Sequence, residues 1–173
     1  MEQKLEAYRR KRNFLKTSEP SGKEEKAVGV KKRKIFAVQL HYARTTHFDF
    51  RLEWDGVLLS WAVPKGPSFN PKDKRLAVRV EEHPLDYADF EGVIPKGEYG
   101  GGTVLLWDKG YWTETEDFAR GLEKGSLKLR LDGKRLKGGW ALVRLNDKDK
   151  AEDEKENWLL FKEKDSFAKD TSG

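Results

Sequence analysis

The chain has 173 residues, about one domain by length and enough to bury a single core. Charged residues make up 38% and hydrophobic residues 36%, and the net charge of +5 is a moderate lean toward polyanions, short of a dedicated nucleic-acid arm. The absence of cysteine excludes disulfides and thiolate metal ligands, and no segment approaches the roughly 20 apolar residues of a membrane span.

Leu5 to Phe14 is expected as a short helix packing Leu5, Tyr8 and Phe14 inward, broken by Pro20, Ser21 and Gly22. These first residues lack a signal-peptide apolar stretch, so the expected setting is the cytoplasm, with no membrane partner. Lys23 to Lys34 has no apolar pattern and reads as a flexible, basic connector; its run Lys31–Lys34 could touch a nucleic-acid backbone without specificity. From Ile35 the text becomes strand-like, beginning with FAVQLHY and HFDFRLEW. Asp55-Gly56 closes a hairpin between HFDFRLEW and VLLSWAV.

Further strands are expected at Leu76–Val80, Thr103–Trp107, Leu127–Leu131, Trp140–Arg144 and Trp158–Lys162. Asp132-Gly133 and Lys137-Gly138-Gly139 are expected as turns, and Glu116 to Lys124 as a short helix ending at Gly125. The stretch GVIPKGEYGGGTV lacks the spacing of a phosphate-binding loop and reads as a glycine-rich turn entering a strand. Most of the six tryptophans are expected in the core, and Asn146 to Asn157 as a mobile charged loop. The architecture is mainly β: a small closed β-barrel of seven or eight strands, with short flanking helices and an N-terminal arm. The arm and connector occupy residues 1–34, the barrel domain 35–168 and a tail 169–173.

Chemistry gathers on one phase of these strands. Side chains alternate across a strand, so His47, Asp49 and Arg51 share a face, while Phe48, Phe50 and Leu52 share the other. In FAVQLHY, Gln39 and His41 fall opposite Phe36, Val38 and Leu40. Adjacent strands would bring two imidazoles and a carboxylate together, a donor set for a divalent cation, with an arginine beside it for an anionic group such as phosphate. Leu76, Val78 and Val80 suggest a third strand of the same kind, with Arg75, Arg79, Glu81 and His83 at its polar phase. The plainer alternative is a solvated sheet face on which Arg51 pairs with Asp49, His83 is a loop residue before Pro84, and Tyr87 only packs its ring.

A longer co-linear pattern runs from about Leu5 to about Ala168. It comprises YRRKRNF…TSEPSG, FAVQLHYARTTHFDFRLEWDGVLLSWAVPKGPS, DKRLAVRVEEHPLDYADFEGVIPKGEYGGGTV and WLLFKEKD. It resembles the 3'-phosphoesterase domain of bacterial ligase D and its free-standing archaeal and bacterial relatives, without ligase or polymerase modules. The resemblance implies a hydrolase, working with Mn2+ or another divalent transition metal, that heals DNA 3' ends for end-joining repair. It would remove a 3'-terminal ribonucleoside to leave a 3'-phosphate, then hydrolyse that phosphate to a 3'-hydroxyl. Its substrate would be a primer-template with a 3'-ribonucleotide or 3'-phosphate end, and its partners a separate ligase, polymerase and end-binding protein.

Carried over by position, the metal ligands would be His41, His47 and Asp49, and the phosphate-binding and catalytic residues Arg51, His83 and Tyr87. Arg12, Glu19, Gln39, Lys65, Arg75 and Glu81 would support substrate binding. His83, at an ordinary pKa near ~6.5, would donate to phosphate or protonate the leaving group, and Tyr87 would add a hydroxyl donor. Asn13 departs from the aspartate usual at its place. Two rival readings remain: a non-haem iron oxygenase using His47-x-Asp49, and a barrel that binds nucleic acid without catalysis.

Overall fold

The computed structural model describes residues 5–21, 33–145 and 155–172. In chain order the elements are α1 (Glu6–Arg10), β1 (Lys34–Tyr42), β2 (Thr46–Trp54), β3 (Val57–Val63), β4 (Arg75–His83) and a 3-10 turn (Leu85–Asp89). There follow β5 (Gly92–Ile94), β6 (Gly102–Glu114), α2 (Phe118–Lys124), β7 (Ser126–Gly133), β8 (Lys137–Arg144) and β9 (Asn157–Lys162). Most of the connector and of the Asn146–Asn157 loop lies outside the described residues. Among those described, no helix is long and apolar enough to cross a membrane.

Eight strands close an antiparallel barrel in the order β1-β2-β3-β4-β9-β8-β7-β6, with β6 pairing back to β1 and β5 added at β6. Mainly-β architecture and barrel closure are as the strand pattern anticipated. Asp55 and Gly56 both take positive φ, 51° and 84°, which suits the right-handed twist of the β2–β3 hairpin. Asp117 caps α2 by accepting from the Arg120 amide, and Gly125 ends it in the left-handed region. The first helix is shorter than expected, because only Glu6–Arg10 is regular.

The barrel interior is apolar. Phe36 and Val38 of β1, Phe50 and Leu52 of β2, and Leu59 and Trp61 of β3 meet Leu129, Trp140 and Trp158 from the far wall. Trp61, Trp112, Trp140 and Trp158 are fully buried. Each such side chain contributes a few kcal/mol by leaving water.

Two expectations fail for identifiable reasons. Asp132-Gly133 ends β7 and Lys137-Gly138-Gly139 starts β8, so neither is a turn; the turn is Lys134–Leu136, whose amides the buried Asp108 carboxylate accepts at 2.8–3.2 Å. The phase of β4 is also reversed. Ala77 faces the interior core and Leu76 is 41% exposed, so the even positions point outward. A bulge restores the histidine: Ser60 pairs with Val80 but Leu58 pairs with His83, so one extra residue is absorbed and His83 returns to the outer face.

The polar phase of β1 and β2 therefore lies outside the barrel. It is covered by a second apolar cluster in which Tyr8 of the N-terminal arm meets Leu58, Tyr87, Phe90 and Ile94. The Tyr8 hydroxyl donates to the Pro20 carbonyl, and Arg9 Nε donates to the Ser21 carbonyl, folding the arm on itself.

Candidate metal and phosphate site

The β1–β2 register sets His41 directly opposite His47 and Gln39 opposite Asp49. His41 Nδ1 stands 3.4 Å from Asp49 Oδ2, and His47 Nε2 stands 3.1 Å from Asp49 Oδ1. Two ligands about 2.1 Å from one ion stand roughly 3.0–3.4 Å apart at ordinary coordination angles. The three donor atoms lie within 4.8 Å of one another, a group that could hold one divalent cation.

Each imidazole is oriented by a backbone carbonyl. His41 Nε2 donates to Gly100 O at 2.7 Å, and His47 Nδ1 donates to Thr45 O at 3.0 Å. A carbonyl only accepts, so the outer nitrogen of each ring donates to it, and the inner nitrogen is the one that faces Asp49 and would be bared to hold a cation. Burial alone would raise the Asp49 pKa. Hydrogen bonds from His41 and His47 and the charge of Arg51 overcome it and hold Asp49 well below the ordinary carboxylate range. His47 is raised despite its burial, because Asp49 bonds to it.

Arg51 lies beside this set, with NH2 3.5 Å from Asp49 Oδ2. Its Nε donates to Gln39 Oε1 at 2.6 Å and NH1 donates to Ser60 Oγ at 2.8 Å. Gln39 is fully buried and its amide donates to the carbonyls of Tyr87 and Phe90. It therefore sits behind Arg51 and sets its plane. Part of the guanidinium fork is thus held by the protein, and NH2 is the edge beside the carboxylate.

His83 Nδ1 donates to Glu81 O at 2.9 Å, and Arg12 NH2 stands 3.4 Å from Nε2. Burial, then Arg51 and Arg12, push its pKa well below 6.5. His83 is neutral near pH 7 with a lone pair on Nε2, which differs from the donor expected of an ordinary histidine. The Tyr87 hydroxyl donates to Glu19 Oε2 at 2.7 Å, and the Arg51 guanidinium lies 4.7 Å from its ring centre. Burial, with Glu19 beside it, raises the Tyr87 pKa. Its hydroxyl hydrogen is given to Glu19, and the residue lines the same cleft as Arg51.

Arg12 is enclosed by carboxylates. Nε donates to Glu19 Oε2 at 2.9 Å, and NH1 donates to Glu81 Oε1 at 3.2 Å and to Tyr8 O at 3.0 Å. Arg12, Glu19, Glu81, His83 and Tyr87 thus join the three metal-ligand candidates and Arg51 around one cleft of about 250 Å3. Lys65 and Arg75 do not reach it; they line a neighbouring basic cleft, where Arg75 NH1 donates to the Lys65 carbonyl.

Sequence reasoning missed three participants. Ser60 directly opposes Arg51 across β2–β3, and its signal was a lone polar residue in the apolar run VLLSWAV. Gly100 acts through its carbonyl, which no side-chain pattern reveals. Tyr99, 43% exposed at the cleft mouth, meets the Lys11 ammonium 4.8 Å from its ring centre.

Comparison with known proteins places residues 39–144 in a match to the DNA ligase D 3'-phosphoesterase domain. The multifunctional non-homologous end joining protein LigD of Pseudomonas aeruginosa is 52% identical over 167 residues, covering 95% of this chain and 19% of that protein. The multifunctional non-homologous end joining DNA repair protein LigD of Mycobacterium tuberculosis is 46% identical over 143 residues, covering 83% of this chain and 18% of that protein. The LigD protein of Mycolicibacterium smegmatis is 41% identical over 169 residues, covering 94% of this chain and 21% of its own length. The chain thus spans about a fifth of the length of these relatives.

Proposed function

The chain belongs to the DNA ligase D 3'-phosphoesterase family, and on that premise we propose that it is a metal-dependent hydrolase of DNA 3' ends. It removes a 3'-terminal ribonucleoside to leave a 3'-phosphate and hydrolyses that phosphate to a 3'-hydroxyl, readying the end for joining. The observation that carries this reading is the placement of His41, His47 and Asp49 on the same cleft as Arg51 and His83. A cation held there and the Arg51 guanidinium would face the same phosphate.

His41 Nδ1, His47 Nε2 and Asp49 would hold a divalent cation, Mn2+ by family resemblance, which would supply Lewis-acid charge for a phosphate oxygen. Arg51, its plane set by Gln39 and Ser60, offers NH2 hydrogens to a second oxygen. Neutral His83 takes a proton through Nε2, so it is suited to water entering the cleft. Tyr87 and Arg12 act through Glu19, holding the arm against the site.

The oxygenase alternative gives Arg51 and His83 no task, and a purely binding barrel gives the donor set none. By the names of the relatives, the pathway is non-homologous end joining. The activity would then work beside a ligase, a polymerase and an end-binding protein. A primer-template ending in one 3'-ribonucleotide, or in a 3'-phosphate, incubated with Mn2+ should yield the 3'-hydroxyl strand. An unchanged substrate with Mn2+, Co2+ and Zn2+ alike would sink the reading, and oxygen uptake with 2-oxoglutarate would replace it.

A further inference from the structure

A second cleft, of about 580 Å3, is lined by Lys65, Lys72, Lys74 and Arg75, with Asp73 the one carboxylate among them. Asp73 is already engaged, accepting from Ser68 Oγ at 2.7 Å and lying 3.7 Å from Arg75. Lys65 and Lys72 are exposed, and neither has an ion-pair partner among the described residues. Cations gathered at this density repel one another, so the site favours a polyanion.

The loop that carries them is built and held. The Asn70 amide donates to Ser68 Oγ, the Lys72 amide to Asn70 Oδ1, and the Asp73 amide to Asn70 O. The C-terminal segment ties it down: the Phe69 amide donates to Ser172 O and the Lys169 amide to Phe69 O. Ser68 is 1% exposed, and Phe69 packs edge-on against Trp140. These bonds fix the backbone from which the lysines project, so that part of the ordering is already made when a ligand arrives.

The cleft also lies on the same surface as the metal site. Leu76 lines it and Val80 lines the metal cleft, both on the outer face of β4 and four residues apart, or about 13 Å along the strand. At about 3.4 Å of rise per nucleotide, that is roughly four base steps. β3 ends at Val63, opposite Phe48 and hence next to His47, so the basic loop begins beside the metal ligands.

We infer that this cleft binds the phosphodiester backbone of the DNA strand roughly four nucleotides from the 3' end held at the metal, with Lys72 and Lys74 as its contacts beyond Lys65 and Arg75. The inference rests on the proposed 3'-end activity and extends it from an end to a strand.

The test compares the wild type with Lys72→Ala and with the double variant Lys72→Ala/Lys74→Ala. Binding of a fluorescent primer-template is followed by anisotropy across salt, and turnover is measured on the primer-template and on a nucleoside 3'-monophosphate. Loss of two phosphate contacts should make log K against log salt shallower by about 1.4–1.8, and the single variant should show about half of that. On the primer-template, KM should rise about tenfold with kcat retained, while the mononucleotide is turned over as before. Because the Lys74 ammonium sits 3.7 Å from the Phe161 ring centre, Tm is read for each variant, and the single variant carries the test if the double one is destabilised. Lys124→Ala/Lys128→Ala removes equal charge elsewhere and should leave the slope unchanged. An unaltered slope in the Lys72 variant, or an equal loss in the control pair, overturns the inference. A wild type inactive on both substrates removes the proposed activity, while the salt slope still decides the cleft.

Discussion

The carbonyl of Gly100 accepts a hydrogen bond from His41 Nε2 at 2.7 Å, so a glycine-rich loop sets which nitrogen of a metal-ligand candidate faces Asp49. Gly100 holds φ at +74°, a conformation costly for any side chain, and a Cβ there would stand 3.5 Å from His41 Cε1. Gly100→Val should move the carbonyl and weaken Mn2+ binding by about 10–100-fold with the barrel intact. Mn2+ titration followed by calorimetry checks this, and unchanged affinity would separate the loop from the metal.

His41→Ala, His47→Ala and Asp49→Ala should each abolish both activities, since each removes one of three protein donors. EDTA should reproduce the effect on the wild type, and added Mn2+ should reverse it. Substantial turnover by any of the three at saturating Mn2+ would count against the ligand assignment.

Arg51→Lys keeps a charge but cannot reach Gln39, Ser60 and Asp49 at once. A loss of about 10²-fold or more in kcat is expected. Stability should also drop by about 1–3 kcal/mol, because Gln39 Oε1 stays buried without its donor. Near wild-type rates would mean that charge alone matters at this position.

Asn13 is exposed, and its side chain accepts from the Leu15 amide at 3.1 Å while its carbonyl accepts from Lys16 and Thr17. This is a turn-capping role that aspartate fills equally well. Asn13→Asp should therefore leave single-turnover rates on both substrates within about twofold. A large gain in either would show that a carboxylate at this place takes part in the reaction.

His83 supplies a pH dependence of stability. Its folded pKa lies below 6.5, pushed down by burial and then by Arg51 and Arg12. Below 6.5 the unfolded chain takes up a proton that the folded protein refuses, so stability falls as pH drops through that value and recovers above it. His47 is shifted in the opposite sense, but it is present in both proteins and cancels in their difference. The Tm of the wild type relative to His83→Gln should decline as pH moves from about 7.5 to about 5.5. Parallel curves would show that His83 is not held neutral.

Strand identity, the β2–β3 turn and the shared face of His47, Asp49 and Arg51 were legible in the chain itself, because alternation along a strand is a local property. The approach of His41 to His47 followed from two neighbouring alternating segments, and their register confirms the pairing. The outward placement of that face was not legible. Alternation says which residues share a side, and only closure of eight strands decides which side becomes the interior. The phase of β4 was misjudged for the same reason, and the bulge that returns His83 to the outer face is invisible until two strands are paired. The commitment of Tyr87 to Glu19, the enclosure of Arg12 and the Gly100 carbonyl at His41 also needed the tertiary structure. The Arg12–Glu81, Tyr87–Glu19 and His41–Gly100 contacts join residues 69, 68 and 59 positions apart, and the last draws on a backbone oxygen that every residue possesses; no local pattern records them.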